Sequence, residues 1–189
     1  MQAEALRLFD EQGYEATTIE QIAEAAGVSP STFYRYFPTK EDVVVQDEYD
    51  PMIIGAFQNQ PEDTPPLAAI RAALAELFSG FTPEDMERLR RRVELIFSVP
   101  ALRARQIQQM VATERLICEI VAERAGRSPS DLEVRNFSAN LIATWGTSVL
   151  IWIEGGGEGN SEGGDEDGGG ELMDIIDRSL AHLEAGVPL

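Results

Sequence analysis

Between Thr17 and Lys40 the chain reads TTIEQIAEAAGVSPSTFYRYFPTK, a run of helix punctuation dense enough to exclude most other folds. Thr18 can cap a first helix, with Gln21 three residues on as its reciprocal partner. Ile19, Ile22, Ala23 and Ala26 then recur at helical spacing and give one apolar face. Gly27 can end that helix in the left-handed conformation that glycine alone adopts freely. Ser29 caps the next helix, and Pro30 takes its first position, where a missing N–H costs nothing. Phe33 and Phe37, four apart, share the inner face. Ser31, Thr32 and Arg35 are left outside, with Tyr34 and Tyr36 on the flanks. Two short helices around a glycine turn form a helix-turn-helix, whose second helix can enter a DNA groove.

The rest of the chain also reads as helix, with no alternating strand pattern. Thr82-Pro83-Glu84-Asp85 and Ser128-Pro129-Ser130-Asp131 repeat one start signal: a capping hydroxyl, a proline, then acids in the first turn. Thr39, Glu41 and Asp42 give the same signal without the proline. Helices are predicted near 2–12, 18–26, 30–37, 40–58, 65–80, 83–97, 101–125, 129–154 and 171–185, about nine in an all-α fold. Asp50-Pro51 is expected to kink the helix over 40–58. Residues 155–170, GGGEGNSEGGDEDGGG, have nothing apolar to bury and are expected to form a flexible connection.

The run Ala5 to Tyr14, the stretch above, and Thr39 to Val44 together resemble the N-terminal domain of TetR-type (tetracycline-repressor-like) regulators. The resemblance is carried by about the first quarter of the chain. It implies a DNA-binding domain over residues 1–48 and a helical ligand-binding and dimerisation domain over 49–189. It further implies a cytoplasmic, homodimeric transcriptional regulator, expected to be a repressor released from a palindromic operator by a small apolar or amphipathic effector. The competing class is a helical small-molecule-binding or interaction module that has lost DNA binding.

The DNA-contacting residues expected from the residues and the resemblance together are Thr18, Ser29, Ser31, Thr32, Tyr34, Arg35, Tyr36 and Lys40. Lys40 and Thr32 suit phosphate. Tyr34 and Tyr36 suit phosphate or base edges at the helix rim. Arg35 can pair bidentately with guanine or clamp phosphate. Ser31 allows close approach to a base, and Ser29 is a cap before it is a contact. Thr18 enters through the resemblance alone, as a flanking phosphate contact.

Charge opposes this reading. The formal net charge is −18, and residues 1–50 hold three basic side chains (Arg7, Arg35, Lys40) against eleven acidic ones. Phosphate neutralisation dominates non-specific affinity, so such a head should hold random DNA poorly. Members of the family usually carry a basic arm before the first helix, and such an arm is an expectation upstream of Met1.

For the effector, Phe78, Met86, Leu89, Val93, Phe97, Met110, Phe137 and Trp145 are the apolar candidates, since ligand cavities are mostly apolar. Arg88, Arg90, Arg91 and Arg92 suggest an anionic group on it, such as an acyl-CoA. Leu172, Ile175, Ile176, Leu180 and Leu183 form an apolar stripe. The resemblance implies that it joins Leu141, Trp145, Val149 and Trp152 in a four-helix dimer interface, with intrachain packing as the alternative.

No catalytic constellation, cofactor motif or metal site is expected. His182 is the single histidine, and Cys118, the single cysteine, sits in the apolar run LICEIV and excludes an intrachain disulfide. The apolar run Phe137 to Ile153 is interrupted by polar residues and short for a membrane span.

Overall fold

The computed structural model describes residues 1–46, 50–155 and 168–186. The described residues form ten helices and two compact units. The first unit comprises Met1–Asp47 and Arg91–Gln109; the second comprises Glu48–Arg90 and Met110–Leu189. The order is α1 (Gln2–Gln12), α2 (Ile19–Ala25), α3 (Pro30–Tyr36), α4 (Asp42–Val45), α5 (Asp50–Gln58), α6 (Pro66–Ser79), α7 (Pro83–Ser98), α8 (Pro100–Ala125), α9 (Leu132–Ile153) and α10 (Gly168–Glu184).

Local capping chemistry sets the helices of the first unit. The Thr18 side chain accepts from the Gln21 amide at 3.2 Å, while the Gln21 side chain accepts from the Thr18 amide at 2.8 Å. That closes the capping box at α2. Gly27 holds φ at 67°, the turn α3 needs behind it. Ser29 Oγ accepts from the Thr32 amide at 3.1 Å. Phe33 is wholly buried, with Ala5, Phe9, Ile22, Ala23 and Val43 to Val45 around it. Ile96 and Leu102, from α7 and α8, belong to this same core. Both residues lie within 49–189 of the chain.

The predicted helix over 40–58 is corrected. It is two helices, because Gln46 is extended at φ −64° and ψ 125° and ends α4. Pro51 therefore does not kink a helix; it sits in the first turn of α5, where its missing N–H breaks no bond. Each end of the four-residue α4 is tied down from the 91–109 segment. At its start, Thr39 and Asp42 cap reciprocally: the Thr39 amide and hydroxyl both donate to Asp42 Oδ2 at 2.9 Å. Arg105 donates to Asp42 Oδ1 at 2.7 Å. At its end, Arg92 donates to the carbonyls of Val44 (2.7 Å), Val45 (3.2 Å) and Gln46 (3.3 Å).

In the second unit α5 packs on α6, and α10 packs on both α6 and α9. Arg124 staples the connection between α5 and α6. Its guanidinium donates to the carbonyls of Phe57, Gln60, Pro61 and Thr64 at 2.7–3.3 Å, and it lies 4.6 Å over the Phe57 ring. Of the stripe expected at a dimer interface, Leu141, Val149, Trp152, Leu172, Ile175, Ile176 and Leu180 are buried within the chain itself. Trp145 and Leu183 are half-buried. The glycine-rich connection expected at 155–170 lies, apart from its ends, outside the described residues; α10 begins at Gly168.

Asp42→Ala removes an acceptor from Arg105 and the cap from α4 together. It is expected to lower stability by about 2–4 kcal/mol, read as a fall in the urea midpoint of the first unit's helical signal.

Candidate nucleic-acid interface

Burying Phe33 decides what α3 shows to the outside. With that ring at 0% exposure, Ser31, Tyr34 (48%) and Arg35 are turned outward, and Tyr36 (56%) follows at the helix end. The Arg35 guanidinium lies 5.1 Å over the Tyr36 ring, a cation–π contact that orders a long, flexible side chain. Ser29 is exposed, and its Oγ is 3.0 Å from the half-buried Thr32 Oγ1. Both hydroxyls thus serve the cap of α3 first. Thr18 is exposed at the start of α2.

Lys40, the chain's only lysine, is less open than the sequence suggested. Its Nζ donates to the carbonyls of Tyr14 (2.8 Å) and Thr17 (3.1 Å) and lies 4.0 Å over the Tyr14 ring. Two of its three N–H groups are spent on the turn between α1 and α2, and one remains. The gain is position: the ammonium is held at the Thr17 carbonyl, the peptide just before Thr18. Two residues expected on one DNA backbone are therefore brought together.

Tyr14 completes this corner. Its hydroxyl donates to Glu41 Oε1 at 2.6 Å. Burial, and then that bond, push the phenol far above its usual value. Burial raises the Glu41 carboxyl, but the Tyr14 hydroxyl, its own backbone amide, the Thr39 hydroxyl and the Lys40 charge outweigh it and hold Glu41 below its ordinary range. Tyr14, Asp42, Arg92 and Arg105 were not identified from sequence as shaping this surface. The Thr39-x-x-Asp42 spacing, repeated at Thr82 and Asp85, was the one available signal.

The basic side chains are unequal. Arg7 is engaged by Glu4 and Glu11 at 2.9 and 2.7 Å, which neutralises it locally. Glu20 and Glu24 are exposed on α2. Arg35 is thus the cation that α3 itself presents.

The effector candidates divide between the units. Phe78, Met86, Leu89, Met110, Phe137 and Trp145 belong to the second, whereas Val93 and Phe97 belong to the first. Phe97 is 37% exposed. Phe78 and Trp145 have ring centroids 6.4 Å apart, and Phe78 and Phe81 5.0 Å. Each of the four arginines has a partner within its own unit. Arg88 faces Asp85 (3.5 Å) and Arg91 faces Asp10 (3.9 Å). Arg90 donates to the Trp152 carbonyl at 3.2 Å, and Arg92 holds α4. Cys118 is buried and His182 exposed. Among the described residues no group of His, Cys, Asp and Glu is placed to hold a metal, and no helix is long and apolar enough to cross a membrane.

A helix-turn-helix unit joined to a second, all-helical unit defines a class, and comparison with known proteins assigns it. The profile of the tetR family of bacterial regulatory proteins matches residues 3–46, and that of the MftR C-terminal domain matches residues 64–188. The chain belongs to the TetR family of transcriptional regulators. It is 33% identical over 130 residues to the transcriptional regulator TcmR of Streptomyces glaucescens, covering 65% of this chain and 58% of that protein. It is 28% identical over 151 residues to the putative mycofactocin biosynthesis transcriptional regulator MftR of Mycobacterium tuberculosis, covering 79% of this chain and 76% of that one. Among solved structures, FadR of Thermus thermophilus, a TetR family repressor in complex with lauroyl-CoA, matches with a TM-score of 0.58 at 23% identity, over 100% of this chain and 93% of that one. The SmeT–triclosan complex matches with a TM-score of 0.53 at 21% identity, over 95% and 88%.

The lowered Glu41 carboxyl makes a signed prediction. Its stabilisation is present above the unfolded carboxylate pKa and is lost as pH falls through the lower folded value. Glu41→Gln should flatten the acid limb of a melting-temperature-against-pH curve and leave the neutral region parallel to wild type.

Proposed function

We propose that the protein is a cytoplasmic, homodimeric transcriptional repressor. Each subunit lays α3 in the major groove of one half-site of a palindromic operator. The half-sites lie about one helical turn, or a multiple of it, apart. The observation that carries this reading is the outward set Ser31, Tyr34, Arg35 and Tyr36 on a helix anchored by a fully buried Phe33. Arg35 reads guanine or clamps phosphate, the tyrosines contact the groove rim, and Thr18 with Lys40 meets the flanking phosphate backbone. Ser29 and Thr32 lend their hydroxyls to the cap and to the backbone. Because the inner faces of α9 and α10 are used within the chain, the dimer is formed by their outer faces. Leu132 (69% exposed) and Ile151 (37%) on α9 support that assignment.

A small apolar or amphipathic effector binds in the second unit and releases the DNA. The lauroyl-CoA and triclosan carried by the two solved relatives support this class of ligand. Coupling runs along α7, a single helix from Pro83 to Ser98. Arg90 on it engages Trp152 of α9, and Arg92, two residues on, engages the end of α4. The effector shifts the equilibrium only through its differential affinity for the DNA-bound and released states.

Fluorescence anisotropy with DNA from the promoter of its own or an adjacent gene tests the reading face. Arg35→Ala should cost about 1–3 kcal/mol of operator affinity and reduce the slope of log affinity against log salt by about one. Salt-insensitive or absent binding in the wild type returns the chain to the class of helical modules that do not bind DNA. The coupling route makes its own prediction. Arg92→Gln should keep operator binding within about threefold while raising the effector concentration needed for release about tenfold, a coupling loss near 1.4 kcal/mol.

A further inference from the structure

Helix α9 holds two polar atoms without hydrogen-bond partners in the interior of the second unit. Ser138 is 0% exposed and Trp152 is 1% exposed. Neither Ser138 Oγ nor Trp152 Nε1 has a hydrogen-bond partner among the described residues. Leaving such groups unmet is costly, and native interiors rarely do so without a reason. Ser148, the other buried serine of α9, shows the ordinary solution: its hydroxyl donates to the Thr144 carbonyl one turn back at 2.9 Å. Ser138 makes no such bond. Trp152 has no equivalent escape, because an indole N–H can only donate.

The two atoms share a stripe. Positions 138, 145 and 152 are seven apart, a spacing that drifts by only about 20° per step around a helix. Trp145 stands between them, with its ring near Phe78 of α6. Met110 of α8 reaches within 4.0 Å of where a side chain on Gly146 would begin. The stripe therefore runs from a polar atom, past the rings of Trp145 and Phe78, to a second polar atom. At the Trp152 end, the Arg90 guanidinium lies 5.3 Å over the indole ring.

We propose that this stripe forms the polar anchors of the effector site and that they select an elongated amphipathic acid bearing a second oxygen function. This rests on the reading that the second unit binds an effector. The acid's carboxylate accepts from the Trp152 N–H beside Arg90. Its chain lies along Trp145, Phe78 and Met110, where soft, polarizable side chains adapt to it. A hydroxyl at the far end meets Ser138. The two anchor residues are fourteen apart, about 21 Å along the helix axis, which sets the ligand class as long-chain.

Calorimetric titration of the intact protein with palmitate and with ω-hydroxypalmitate tests the assignment. Wild type should bind ω-hydroxypalmitate about tenfold more tightly than palmitate. Ser138→Ala should erase that preference and leave palmitate binding unchanged. Trp152→Phe should weaken both probes about tenfold. Ser138→Ala should also raise the melting temperature of the ligand-free protein by about 2–4 °C, because it removes a hydroxyl that nothing satisfies. Equal affinity for the two probes in wild type, a preference that survives Ser138→Ala, binding of neither probe, or a lowered melting temperature for Ser138→Ala would each overturn the proposal. Should Trp152→Phe fail to fold, the Ser138→Ala arm decides alone. Operator binding measured on the same samples separates the two readings. Intact operator binding without the probe pattern rejects this site only, whereas loss of operator binding in wild type rejects the regulator itself.

Discussion

Asp42 is almost wholly withdrawn from water, and the DNA-facing half of the molecule depends on how its charge is met. One carboxylate oxygen takes both the amide and the hydroxyl of Thr39; the other takes Arg105. A buried charge is tolerable only when every lone pair finds a partner. Here those partners come from the turn after α3 and from α8, so one side chain fixes the exit of the reading helix against a distant segment. A four-residue helix has too few internal bonds to persist alone. α4 persists because Asp42 is bound at its start and Arg92 covers its last carbonyls.

How much of this the sequence discloses follows from the range of each interaction. The caps of α2 and α3 are legible because Thr18 with Gln21, and Ser29 with Thr32, are three residues apart. The same pattern at Thr39 and Asp42 announces a helix start, yet says nothing of burial. That depends on Arg105, 63 residues away. The stripe on α10 is equally plain in the sequence, but a stripe does not name its partner. Packing on α6 and α9 within the chain covers it as well as a second subunit would. Lys40 reads as an exposed cation until the carbonyls of Tyr14 and Thr17 are seen to take it. The break at Gln46 carries no local signature, and Pro51 marks a start where the pattern suggested a bend.

The charge balance acquires a sharper form. Arg7 is held between two glutamates, and Lys40 is partly committed to backbone. The positive potential offered by the helix-turn-helix is therefore small and concentrated at Arg35. Such a surface gains little from counterion release on random DNA. A head of this kind has no broad basic face to offer. The second unit shows the complementary economy. Two of its arginines are spent on architecture: Arg124 on the α5–α6 connection and Arg90 on Trp152.

The presence of Ile96 and Leu102 in the core around Phe33 bears on how such proteins can be recombined. A reading head whose core is completed from residues 91–109 is not a bead on a string. Cutting the chain after α4 and grafting the first four helices onto another helical domain would take Ile96 and Leu102 out of the core that holds Val43, Val44 and Val45 and leave Asp42 without its arginine. Transplantation of the first four helices is therefore closed unless the α7–α8 junction travels with them.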